Sequence, residues 1–93
     1  MLTQFFCSSS PTFIVTRDLA SIIFRTIGKD GGSEGIILNC EFDTSLNALK
    51  KKAKLEIQTT NDIPLSTRFY PLVQMIKAAK SSNDEFILWK SLL

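Results

Sequence analysis

Histidine is missing from the 93 residues, and with it goes the side chain that most readily moves protons near neutral pH. Ser-His-Asp and Cys-His nucleophile systems and histidine-bearing metal sites are thereby excluded. Cysteine is scarce: Cys7 and Cys40 stand far apart with no C-x-x-C spacing, which suits neither a disulfide framework nor a zinc site. We read both as ordinary or partly buried thiols of a reduced, cytoplasmic protein. No apolar run approaches the roughly 18 residues of a membrane span. The opening Met-Leu-Thr-Gln-Phe-Phe-Cys has no basic leader and too short an apolar run for a signal peptide or a lipoprotein acceptor, so neither is expected. An excess of charge is lacking too. Eleven basic residues face nine acidic ones, for a net charge of +2 and a pI near 8.7, below the value of about 9 that marks an electrostatic nucleic-acid footprint. We expect no metal, no cofactor and no membrane partner, and rank nucleic acid low.

What is present is an ordinary globular mixture, 44% hydrophobic and 22% charged, well removed from disordered compositions. A chain of this length hides about 60 to 70% of its unfolded surface, enough for one modest core. Residues 1–93 are therefore read as a single domain. Seven phenylalanines are many for its size.

The stretch Leu65 to Trp89 organises the rest. Leu65, Phe69, Leu72, Ile76 and Ala79 recur at spacings of three and four, with Met75 beside them, which predicts a helix with one apolar face. Pro71 predicts a kink, or a new helix beginning there. The turn-forming Ser81-Ser82-Asn83-Asp84 then leads into Phe86-Ile87-Leu88-Trp89, a short apolar strand. At the other end, Leu2 to Cys7 and Phe13 to Thr16 flank Ser8-Ser9-Ser10-Pro11-Thr12 and predict a hairpin. Phe5 opposes Phe6, Phe13 and Val15 oppose Ile14, and Phe86 and Leu88 oppose Ile87 and Trp89. All three strands are thus apolar on both faces. A sheet with one wet face alternates apolar and polar residues, whereas doubly covered strands read as continuous apolar runs. Either helices lie on both sides of the sheet or one face meets another subunit; a bare face would itself be a patch of the kind that marks interaction sites.

Between these segments, Leu19, Ile22, Ile23, Thr26 and Ile27, widened by Ala20 and Phe24, predict a helix that begins with Asp18 as its cap or in its first turn, with Thr16 the other cap candidate, and that is stopped by Gly28. The loop from Gly28 to Gly35 holds every glycine of the chain but has neither the P-loop order nor the Gly-x-Gly-x-x-Gly fingerprint. A helix stop with a flexible loop explains it better than a phosphate cradle. Gly35 to Leu38 is extended or a fourth edge strand. A helix from Asp43 or Thr44 to Lys54 or Ile57 turns Leu46, Leu49 and Ala53 inward. Its Lys50, Lys51, Lys52 and Lys54 point about 100° apart in succession and form no single row. Gln58 to Pro64 reads as a polar connection.

Arg68 stands close to a helix N-terminus, where positive charge opposes the helix dipole, so it calls for a carboxylate (Asp30, Asp84 or Glu85) or a bound anion. Arg68, Lys29 and Tyr70 are the candidate ligand-binding residues, and Phe6, Ile14 and Trp89 the candidate interface. No residue is assigned a catalytic role.

Leu2 and Phe5, Ile27-Gly28-Lys29-Asp30, Gly35-Ile36-Ile37, the Leu65 to Met75 segment with Arg68, Pro71-Leu72 and Met75, and the closing Leu88-Trp89 together resemble a small bacterial family, domain of unknown function 1840. Gly31 stands where that family usually has proline, and Phe6 where it is polar. The resemblance implies a compact bacterial cytoplasmic fold and no catalytic residues.

The expectation is an α+β protein in the order ββαααβ, its small mixed or antiparallel sheet built from the N-terminal hairpin and the C-terminal strand. We expect a non-enzymatic interaction module that forms a homodimer through an apolar sheet face or edge. The alternative is an anion- or nucleic-acid-binding module using Arg68, Lys29 and the lysines of the second helix.

Overall fold

In the computed structural model, which describes residues 2–55 and 65–92, the N-terminal runs pair as β1 (Leu2–Cys7) and β2 (Ser10–Thr16). The turn between them is shorter than expected. Ser10, Pro11 and Thr12 belong to β2 rather than to the connection, because β2 is an edge strand and proline's missing N–H costs nothing on an unpaired side. A register shift between Phe5 and Cys7 takes up the irregularity.

α1 (Arg17–Ile27) starts where Thr16, still extended, accepts a hydrogen bond from the Leu19 N–H at 3.4 Å. Asp18 lies in its first turn, one of the two places expected for it. Gly28 ends the helix with a left-handed φ of 78°, its N–H donating to the Phe24 carbonyl; a side chain would be strained there.

Gly35 to Leu38 is indeed a strand, β3 (Glu34–Leu38), which pairs with the C-terminal strand. A short 3-10 turn over Asn39–Glu41 leads into α2 (Phe42–Leu55), which buries Phe42, Ser45, Leu46 and Leu49. The predicted end at Ile57 and the 58–64 connection lie outside the described residues. α3 (Leu65–Ser81) runs unbroken through Pro71, so no second helix begins there. Pro71 and Thr67, whose carbonyl loses its partner, are both exposed, and water can serve the freed oxygen. Asn83, at φ 58°, closes the helix while the Asp84 N–H bonds the Ala79 carbonyl at 2.8 Å.

β4 (Phe86–Leu92) extends three residues beyond the predicted run and lies between β1 and β3 in the order β2-β1-β4-β3. Every pairing is antiparallel. Among the described residues the fold is α+β with four strands and three helices in the order β1β2α1β3α2α3β4.

The core forms between the helices and one face of this sheet. Phe5, Val15, Ile37, Ile87 and Trp89 meet Leu19, Ile23 and Phe24 of α1, Phe42 and Leu49 of α2, and Phe69, Leu72 and Ile76 of α3. Phe5 stacks on Phe13 at 5.2 Å, and Trp89 meets Phe24 at 4.7 Å between ring centroids. Gly35, opposite Trp89 in the register, leaves room for the indole: a Cβ there would fall 2.2 Å from Trp89 Cζ2. The expectation for Trp89 is corrected accordingly. It is 4% exposed on the covered face and takes no part in the outer surface, because its place in the pleat puts it with Phe5 and Ile87 rather than with Phe6 and Leu88.

Candidate interaction surface

Among the described residues helices pack on the Trp89 side only, so the expectation of helices on both faces is not met by them. The outer side chains stand in cross-strand rows set by the registers. Thr16, Leu2 and Leu92 make the first row, and Ile14, Gln4, Lys90 and Glu34 the second. Phe6, Leu88 and Ile36 make the third, and Phe86 with Leu38 the fourth. Ile14 is 51% exposed, Leu2 44%, Leu38 43% and Phe86 40%; Phe6, Ile36, Leu88 and Leu92 are half-buried. The last two rows form a continuous apolar patch, while Lys90 and Glu34 sit opposite one another and cancel in charge. In the single chain this face is open to solvent.

Phe6 and Ile14 lie on one surface, a matter decided by the β1–β2 register. Ile36, Leu38 and Phe86 complete it. Phe86 was already placed with Leu88, opposite Ile87 and Trp89, but the Ile36 and Leu38 contribution became visible only once β3 paired with β4.

The ligand candidates are scattered. Lys29 donates to both carboxylate oxygens of Glu41, at 2.9 and 2.8 Å, tying the end of α1 to the turn before α2. The Lys29 ammonium holds the Glu41 carboxyl below its ordinary value, the Leu38 N–H helps in the same direction, and partial desolvation opposes both. Arg68 is half-buried on α3, and none of the carboxylates expected for it is its partner among the described residues. Asp84 instead accepts a hydrogen bond from the Ser9 hydroxyl at 2.5 Å, fastening the β1–β2 turn to the α3–β4 turn. Tyr70 is 59% exposed and, like Arg68, stands on α3, whereas Lys29 follows α1. Lys80 pairs with Asp43 across α3 and α2, a solvent-exposed pair that contributes little. Among the described residues no group of His, Cys, Asp or Glu is arranged to hold a metal ion, and no helix is long and apolar enough to cross a membrane.

The arrangement defines a class: an α+β sheet layer with its helices on one side and an apolar face on the other. The family model "Domain of unknown function (DUF1840)" matches residues 1–89, and the chain belongs to that family. No curated protein and no solved structure matches it.

Proposed function

We propose that the protein is a self-associating interaction module whose outer sheet face packs against the same face of a second copy. The observation that carries this reading is the open apolar surface made by Phe6, Ile36, Leu38, Phe86 and Leu88. Strands about 4.8 Å apart and about 3.3 Å per residue give the whole face, polar row included, a flat area of roughly 400 Å². Face-to-face packing of two such sheets about 10 Å apart is a standard way to bury them. The polar row supports a two-fold arrangement, in which identical patches meet. Lys90 and Glu34 make that row neutral, so two copies meet without net repulsion. Two such faces would bury about 800 Å² in total, below the range of stable specific interfaces, so the association is a weak, transient one.

Sedimentation equilibrium from low to high micromolar concentration tests the proposal. The wild-type mass should rise toward twice the 10.4 kDa of one chain. Leu88→Lys, which sets a second ammonium beside Lys90 at the centre of the patch, should stay monomeric with an unchanged circular dichroism spectrum. A wild-type chain that remains monomeric across the range would sink the reading.

A further inference from the structure

A groove of about 690 Å³ runs along α1 on the helix side of the sheet, remote from the outer face. Arg17, Ser21 and Arg25, at successive spacings of four, line one wall. The Gly31-Gly32-Ser33 loop forms the other. That loop is held close: the Ser91 N–H donates to the Ser33 carbonyl at 2.6 Å, and a Cβ on Gly31 would fall 2.5 Å from the Phe24 ring. The floor holds Thr3 and Ser91, a cross-strand pair on the inner face of β1 and β4.

Three features mark it as built to receive something. Thr3 is 8% exposed and lines the groove, and its hydroxyl has no hydrogen-bond partner among the described residues, which leaves that oxygen to a ligand or to solvent. Arg17 and Arg25 likewise have no carboxylate partner among them. Arg17 moreover occupies the first residue of α1, where a positive charge opposes the helix dipole and an anion would relieve both. Charge in the groove is unbalanced, with Arg17, Arg25 and Lys29 against Asp30, and Lys29 already engaged by Glu41.

We propose that this groove binds a small phosphorylated organic molecule with a hydroxyl-bearing body. Its volume is in the range of small-molecule sites, roughly 300 to 1,000 Å³. Guanidinium forks match phosphate oxygens bidentately. The hydroxyls of Thr3, Ser21 and Ser91 suit a polyhydroxyl body resting over the partly apolar floor. Glycine at Gly31 and Gly32 keeps that wall free of side chains, so a ligand can approach backbone N–H groups. Nothing here depends on the outer face, so the site can stand or fall independently of self-association.

Nuclear magnetic resonance titration of the intact chain with inorganic phosphate, ribose 5-phosphate and succinate tests it. Ribose 5-phosphate should shift the amides of Thr3, Ser21, Gly31 and Gly32 and bind about tenfold more tightly than inorganic phosphate, for one or two added hydrogen bonds. Arg17→Ala with Arg25→Ala should weaken binding at least about tenfold, for lost charge-assisted bonds. Thr3→Val, which keeps shape and strand propensity, should weaken it several-fold, and Asp30→Asn should strengthen it. The proposal is overturned if no probe shifts these amides at millimolar concentration, if the shifts survive the double arginine variant, or if succinate binds as tightly as ribose 5-phosphate.

Discussion

Replacing Gly35 by alanine should be the most damaging single-carbon change in the sheet. The added Cβ would stand 2.2 Å from Trp89 Cζ2 and 2.6 Å from Cε2 and Cη2. Carbon pairs prefer about 3.5 to 4.0 Å, so the indole must retreat by more than about 1 Å. It has nowhere to go, because Phe24 lies 4.7 Å from its centroid on one side and Phe5 at 6.4 Å on another. Overpacking of this kind costs about 1 to 3 kcal/mol, while losing glycine's freedom in the unfolded chain returns about 0.5 to 1 kcal/mol. A net loss of about 1 to 2 kcal/mol corresponds to a fall in Tm of about 4 to 16 °C for a protein of this length. Thermal melts followed by circular dichroism would measure it. Gly32→Ala is the control, since nothing lies within 4 Å of its added carbon, and it should melt with the wild type. Trp89→Phe removes the atoms that clash, so in that background Gly35→Ala should be nearly neutral. If Gly35→Ala melts with the wild type, or costs as much beside Phe as beside Trp, the packing of this sheet has been misunderstood.

Other outcomes follow from the same packing and electrostatics. Glu41 has its pKa lowered in the fold by Lys29 and the Leu38 N–H, so its contribution is complete above its ordinary value of 4.5 and lost as pH falls through the lowered one. Acid titrations of the wild type and Glu41→Gln should therefore converge at low pH; because the carboxylate side chain is 35% exposed, the difference at neutral pH should be about 1 kcal/mol or less. Ile37→Ala, at a fully buried position, should cost about 2 to 5 kcal/mol in denaturant unfolding. Thr16→Ala removes the α1 cap; its 3.4 Å bond places the loss at the low end of the usual range, about 0.5 kcal/mol.

Much of the fold was readable where local chemistry decides it. The spacing of Phe69, Leu72, Ile76 and Ala79 announced α3 and its buried face, and Gly28 announced the end of α1. The apolar runs at Phe5, Ile14 and Phe86 announced strands with two apolar faces. Expectation failed where a residue's meaning depended on its neighbours in space. Pro11 looked like a strand breaker and is not one, because β2 sits at an edge. Pro71 looked like a helix boundary and is not one, because its unpaired carbonyl partner faces water. Trp89 was assigned to the exterior, although its parity with Ile87 and its pairing with Gly35 put it inside. Arg68 drew attention by its place near a helix start, yet the groove assembled around Thr3, Arg17 and Arg25 uses residues that no motif in the chain joins.

The sequence by itself determined the elements, their apolar faces and the absence of histidine chemistry, since periodicity, capping and residue inventory act over a few positions. Which sheet face the helices would cover, and that Phe6, Leu88, Ile36, Phe86 and Leu38 would become neighbours in the open, was decided by tertiary structure. Registers between β1, β4 and β3 join residues as far apart in the sequence as Leu2 and Leu92, and a sheet with two apolar faces has no local signal to say which one the helices will take.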